Sequence, residues 1–144
     1  MRISRLAPLL AAALGVCAAA PAPLTARDAI DKAAEWAPHG FAGEFEMQVR
    51  GAGRRKGYEY LNSEVDYHDQ RNLTVDMDPA VVAAFAQRIG ADPVDYFRGR
   101  RIVVRGRAQR VRVVVLADDG RPTPIFYYQT HIVVRFPEQV SVVG

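Results

Sequence analysis

The chain has 144 residues, 49% of them hydrophobic, with 19 Lys and Arg against 16 Asp and Glu and a single cysteine. That length fits one domain with one core, and a lone cysteine excludes an internal disulfide and a cysteine-based zinc site. The formal charge of +3 is carried partly by the extreme N-terminus and does not by itself name a class of partner.

The first segment reads as a targeting signal. Arg2 and Arg5 precede 15 uncharged residues rich in Ala and Leu, from Leu6 to Ala20. A charged start, a short apolar run and Ala-x-Ala sites are the signature of a secretory signal peptide. The run falls short of the roughly 20 residues that span a bilayer. Residues 1–26 are therefore expected to be a signal peptide, cut after Ala20, Ala22 or Ala26, that places the protein in the periplasm or outside the cell. Cys17 lies inside it, and Val16 stands where lipoprotein signals carry Gly, Ala or Ser, which argues against a lipid anchor. Without Arg2 and Arg5, residues 21–144 carry 17 basic and 16 acidic side chains. Residues 21–97 hold 8 basic and 13 acidic groups, and residues 98–144 hold 9 Arg and 3 acids. An asymmetry of this kind steers an anionic ligand or a charged partner, or lets the protein pair with itself.

Residues 27–42 form an expected N-terminal helix and linker, with the helix over 27–37 and Trp36 as a lid on the core. Pro38, His39 and Gly40 end it. Phe45, Met47 and Val49 then alternate with Glu44, Glu46, Gln48 and Arg50, the pattern of a half-buried strand. Gly51 to Gly57 reads as a flexible basic turn or loop, and Tyr58–Leu61 and Leu73–Met77 as the next two strands. Asp78-Pro79 starts a helix with Asp as N-cap and Pro at the first position, and Gly90 stops it. Asp92-Pro93 repeats the start on a shorter turn.

The following strand has a change of parity. Ile102, Val104, Gly106 and Ala108 are even-numbered, whereas Val111, Val113 and Val115 are odd-numbered. Keeping both sets inward predicts a bulge between Gly106 and Val111. It also predicts that Arg101, Arg105, Arg107, Arg110 and Arg112 form one exposed stripe. Asp118 to Pro122 is a turn, and the last strand runs through Ile132, Val134 and Phe136.

Three phrases carry a family resemblance. They are Tyr60-Leu61-Asn62-Ser63-Glu64-Val65-Asp66-Tyr67 with Asn72-Leu73-Thr74-Val75, then Ile102-Val103-Val104-Arg105-Gly106, then His131-Ile132-Val133-Val134-Arg135-Phe136-Pro137-Glu138-Gln139-Val140. Together they resemble small bacterial oligomer-binding (OB) fold domains, over roughly residues 43–143 with about 113–128 unmatched. The resemblance implies an all-β, five-stranded OB-like β-barrel over residues 43–144, with one helix between its third and fourth strands. Where such relatives carry Asp-Asp before the proline, this chain has Arg135-Phe136, which reverses the local charge.

Such barrels bind nucleic acids, sugars, peptides or proteins. Arginines beside Tyr58, Tyr60 and Tyr67 are the ingredients for single-stranded nucleic acid, cations following phosphates and rings stacking on bases. The same five arginines also fit a solvated strand face paired with Glu44, Glu46 and Glu59, in a chain with only two lysines. Asp66, His68 and Asp69 lie close enough to suggest a metal, but one imidazole and two carboxylates without a second spaced histidine is a weak ligand set. A turn-building role fits Asn62, Asp66 and Asn72 as well. There is no nucleophile elbow and no phosphate-binding glycine loop, and His39, His68 and His131 fall on separate elements. The expectation is an exported, non-enzymatic binding module, without cofactor or metal, whose partner is a protein or peptide of the cell envelope. Single-stranded nucleic acid bound through the arginine-rich face is the alternative, and a structural accessory domain of an envelope assembly is a third.

The leader makes a direct prediction. Intact-mass measurement of protein from the native envelope should find a mature N-terminus between residues 21 and 27, and a soluble cytoplasmic species retaining Met1 would refute export.

Overall fold

The computed structural model describes residues 18–144, so most of the expected leader, including Arg2, Arg5 and Cys17, lies outside the described residues. Strand β1 (Leu24–Thr25) runs parallel to β2 (Phe41–Gln48), and helix α1 (Ala26–Glu35) lies between them in the chain. The helix starts where it does because Thr25 and Asp28 cap it reciprocally. The Thr25 hydroxyl accepts from the Asp28 amide at 3.1 Å, and the Asp28 carboxylate accepts from the Thr25 amide at 2.8 Å, a capping box. The Thr25 hydroxyl, which also donates to the Asp28 carboxylate at 2.7 Å, and the Thr25 amide together hold that carboxyl below its ordinary range. Cutting after Ala26 would remove both β1 and the cap, so the folded domain includes Leu24 and Thr25. Ala29 and Ala33 are fully buried where α1 packs on the sheet. Trp36, expected as a lid, is instead 53% exposed and tilts over Phe41.

The chain continues through β3 (Gly51–Arg55), β4 (Tyr58–Asn62), β5 (Leu73–Met77), α2 (Pro79–Ile89), α3 (Pro93–Phe97), β6 (Arg101–Leu116) and β7 (Pro122–Val134). A 3-10 turn at Pro137–Gln139 leads to β8 (Val140–Val142). The two helix starts are as the sequence predicts: Asp78 accepts from the Val81 amide at 2.9 Å, and Asp92 caps α3. Gly90 ends α2 in the left-handed conformation, which a glycine adopts without steric cost.

The expected five-stranded all-β barrel is not what forms. Eight strands make one open mixed sheet in the order β1-β2-β6-β7-β5-β4-β3, with β8 on β6, and the described residues include three α-helices. Two of the pairings, β1 with β2 and β5 with β7, are parallel. The sheet stays open because β2 and β3, consecutive in the chain, do not pair. Between them Val49 bonds to Arg100 and Gly99, and the Arg50 amide bonds to the Asn62 carbonyl at 3.0 Å. The first half of this run is thereby committed to β6 and the second half to β4. Phe45, Val75, Ile102, Val104, Ile132 and Val134 share one core with Val81 and Phe85 of α2 and with Val94 and Phe97 of α3. That core lies between a sheet and helices, not inside a closed barrel.

Two further expectations are corrected. The predicted loop over Gly51–Gly57 is mostly strand β3, and only Lys56 and Gly57, both at positive φ, make the turn into β4. These are the torsions a two-residue hairpin requires. The predicted bulge between Gly106 and Val111 is absent. β6 pairs without interruption from Arg101 to Ala108 with β2 and onward from Ala108 with β7, and its register shifts only between Val114 and Leu116. Unbroken alternation carries Val111 and Val113 to the face opposite Val104. The parity rule assumes a covered strand, and no helix lies over the face that carries Val111 and Val113.

Buried polar groups fix the helices to the sheet. Glu59, only 3% exposed, accepts from the Val94 amide at 3.0 Å and from Arg54 at 3.2 Å. Arg54 also meets Asp92 at 2.5 Å and Asp95 at 3.0 Å, tying edge strand β3 to α3. Burial pushes the Glu59 carboxyl up, and neighbouring Asp92 pushes it the same way. Burial acts upward on Asp92 too, but the Arg54 guanidinium and the bond from Glu59 outweigh it and leave that carboxyl lowered.

Gly51 sets the approach of the next loop. A Cβ there would sit 2.6 Å from the Glu64 carbonyl oxygen, whereas at Gly53 nothing lies within 4 Å. Gly51→Ala should therefore destabilise the fold by about 1–3 kcal/mol, and Gly53→Ala should stay within about 0.5 kcal/mol of wild type. Urea midpoints of the two variants measure the difference, and equal midpoints would refute the close approach.

Candidate functional site

The face of the sheet opposite the helices is concave between β3 and the outer half of β6. It forms an open groove of about 550 Å³ lined by Tyr60, Asn62, Tyr67, Thr74, Val113, Tyr127, Gln129 and His131 among others. Strand register explains the gathering. Tyr60 stands opposite Asp76, Asn62 opposite Thr74, Thr74 beside His131, and Val113 opposite Tyr127. Paired residues share a face, so one row of outward side chains crosses four strands.

The closed end of the groove is the loop 63–72, built by a buried amide–hydroxyl network. The Asn72 amide donates to Asn62 Oδ1 at 3.1 Å and to Thr74 Oγ1 at 2.9 Å, and the Thr74 hydroxyl donates to Asn62 Oδ1 at 2.9 Å. Asn72 Oδ1 accepts from the Glu64 amide at 3.0 Å, and Ser63 Oγ accepts from the Leu73 amide at 2.8 Å. Asp66 accepts from the His68 amide at 2.9 Å. The turn-building reading of Asn62, Asp66 and Asn72 matches this geometry. The weak metal reading of Asp66, His68 and Asp69 does not, because Asp66 is engaged by His68 and Asp69 by Arg71 at 2.7 Å. Among the described residues there is no cluster of three or more His, Cys, Asp or Glu suited to a metal ion.

On the floor, His131 Nδ1 lies 2.9 Å from Asp76 Oδ2 and Nε2 lies 2.8 Å from Gln129 Oε1. Gln129 is oriented by donating from its amide to the Tyr67 carbonyl at 3.3 Å and to the Tyr127 hydroxyl at 3.2 Å. The second oxygen of Asp76 is buried without a protein partner. Burial raises the Tyr60 hydroxyl, with the Asp76 charge adding to it, and burial likewise raises the Tyr127 hydroxyl. Both phenols therefore remain protonated donors at neutral pH. At the rim Tyr67 stacks on His68 with ring centroids 3.8 Å apart, and His68 faces Tyr127 at 6.0 Å.

The predicted site residues are only partly brought together. Tyr60 and Tyr67 line the groove; Tyr58 lies on the same face at the start of β4, beyond the lining. The five-arginine stripe is split by the unbroken strand. Arg101, Arg105 and Arg107 point outward opposite Gln48, Glu44 and Ala42 of β2, while Arg110 and Arg112 lie on the helix side of the sheet, Arg110 beside Ile30 and Ala34 of α1. Arg101 meets Glu46 at 3.6 Å, and Arg107 donates to the His39 and Gly40 carbonyls, both at 3.1 Å. Arg110 stacks over Tyr128 at 3.8 Å and Arg112 over Phe126 at 4.1 Å. None of the five lines the groove; the basic residues that do are Arg54 and Arg55. Asp76, Tyr127, Gln129 and His131 are among the site residues that sequence reading missed. Their outward parity is legible, but the parallel pairing of β5 with β7 that assembles them is not.

No protein-family model matches the chain, and no curated protein does. No helix among the described residues is long and apolar enough to cross a membrane.

Asp69 gives a pH prediction. Hydrogen bonds from the Arg71 side chain and amide lower its carboxyl to about 2. A depressed carboxyl contributes stability above its unfolded value and loses it as pH falls through the folded one. This anchor of the loop should therefore hold at neutral pH and fail only toward pH about 2. An NMR titration of the Asp69 carboxyl should show that midpoint, and Arg71→Ala, which keeps the backbone amide bond, should move it part of the way up toward the ordinary aspartate range. An ordinary midpoint in the wild type would refute the pairing.

Proposed function

We propose that the chain is an exported, non-enzymatic binding module that holds a segment of a protein or peptide partner of the cell envelope in this groove. One observation carries the reading: an open concavity of about 550 Å³ walled by Tyr60, Tyr67 and Tyr127 over a floor of mutually bonded polar side chains. Its size lies in the range of ligand-binding clefts. Tyrosines supply large contact area and a hydroxyl at low conformational cost. The floor is fixed before any ligand arrives, which reduces the ordering cost of binding.

A non-enzymatic role is supported by where the polar groups are spent. Both nitrogens of His131 face Asp76 and Gln129 at 2.9 and 2.8 Å, not a hydroxyl or thiol to activate. Ser63 Oγ is buried against the Leu73 amide. The nucleic-acid reading has less support, because the five arginines lie on two faces and none of them lines the groove. The leader-like N-terminal sequence supports export.

A photo-crosslinker in place of Tyr67 in the mature protein, followed by mass spectrometry of envelope adducts, identifies the bound segment. A synthetic copy of that segment should bind wild type, with Tyr60→Ala weakening it about tenfold, or about 1.4 kcal/mol. Undiminished binding by Tyr60→Ala would remove the groove from the account. Tight, salt-sensitive binding of a single-stranded oligonucleotide would replace the peptide by nucleic acid.

A further inference from the structure

The outer half of β6 has a strand on only one side. From Arg101 to Ala108 its other edge pairs with β2, whose first residue, Phe41, stands opposite Ala108. Beyond Ala108 that edge meets no strand among the described residues, while β7 continues along the opposite edge. A bare edge presents unpaired N–H and C=O groups, a template for another strand. The two faces of this stretch differ sharply. Arg110 and Arg112 lie on one, exposed and without a carboxylate partner among the described residues, and Val111 and Val113 lie on the other. Both guanidiniums are already seated on aromatic rings, Arg110 over Tyr128 and Arg112 over Phe126.

We propose that the free edge of β6 over Arg110–Val114 takes an extended peptide segment of a partner, in which acidic residues alternate with apolar ones. Strand addition places every second side chain of the newcomer beside Arg110 and Arg112, where opposite charges stabilise the pair. The intervening side chains fall beside Val111 and Val113, where apolar groups fit. A second copy of this chain is the wrong occupant, because antiparallel pairing of two such edges sets arginine near arginine. Stacking holds the guanidiniums in place, so little rotamer freedom is lost on binding. The proposal shares with the groove reading the idea of a binder of protein segments, but it concerns the free edge of β6, which meets the groove only at Val113.

The test uses the mature protein, a synthetic peptide alternating Glu with Val, a second alternating Lys with Val, and oligo-dT. Amide hydrogen exchange should slow at alternate residues of 109–114 with the Glu/Val peptide alone. Arg110→Glu with Arg112→Glu should turn the preference to the Lys/Val peptide, a swing of at least about tenfold. The milder pair Arg110→Gln with Arg112→Gln should abolish the preference without adding new charge. Groove ligands are read separately, at the amides of Tyr60 and Thr74, so one surface can fail while the other stands. An edge that no peptide protects, protection that arises from self-association without peptide, or tighter binding of oligo-dT than of the Glu/Val peptide would each overturn the proposal.

Discussion

The parallel pairing of β5 with β7 is the constraint on which the rest depends. It joins the β3-β4-β5 meander to the β1-β2-β6-β7 half of the sheet, matching Leu73–Met77 with Thr130–Val134. One face of the joint is core: Val75 stands beside Ile132 and Met77 beside Val134, all at most 1% exposed. The other face is the groove floor, with Thr74 beside His131. A slip of one residue would exchange the two faces along this strand. Burial of these aliphatic side chains therefore sets the register that brings Asp76 to His131. Site geometry is thus inherited from core packing, and groove and core share their stability.

The loop over 63–72 shows how a polar network closes the groove. Asn62, Ser63, Asn72 and Thr74 are all less than 8% exposed, and an unpaired polar group in such a place costs about 1–3 kcal/mol. Here nearly every donor and acceptor finds its counterpart within the set, so the network fixes one geometry instead of raising the energy. Asp76 is the exception, with one oxygen buried and unpaired. Exceptions of this kind cluster where a site is held ready for something else, and this one lies under Tyr60 and beside His131.

Elements whose causes are local were legible in the sequence. Asp78-Pro79, Asp92-Pro93 and Gly90 are neighbours of the turns they cap, and the strands at Tyr58–Leu61 and Leu73–Met77 follow from period-two alternation. The failures are non-local. Gly51–Arg55 is a strand because β4 pairs with it, although its own glycines argue for a loop. Val111 and Val113 read as core because valine usually is, yet no helix lies over the face that carries them. The barrel expectation failed at Val49 and Arg50, whose backbone bonds go to Gly99, Arg100 and Asn62. Nothing in the composition of that dipeptide announces those partners. Of the site, Tyr60 and Tyr67 were singled out as aromatic rings beside the arginines, whereas the continuity of the arginine stripe rested on the supposed bulge.

The arm formed by the outer halves of β6 and β7 raises a separate question, because a two-stranded hairpin is marginal in water without a third layer. Its substitute is the diagonal stacking of Arg110 on Tyr128 and Arg112 on Phe126, with Phe126 edge-on to Tyr128 at 5.7 Å. Flat guanidiniums cover the rings as a helix would, each contact contributing about 0.5–1 kcal/mol at an exposed site. Lysine could not do this equally well, since a compact, strongly hydrated ammonium gives up more to lie on a ring and offers no planar surface. The same choice protects the bare edge from its own copies by like-charge repulsion. Each arginine therefore supports the strand beneath it and excludes the commonest wrong partner, while its N–H donors still face outward. The chain's arginine excess after residue 97 is, on this part of the molecule, as much a packing device as a charge.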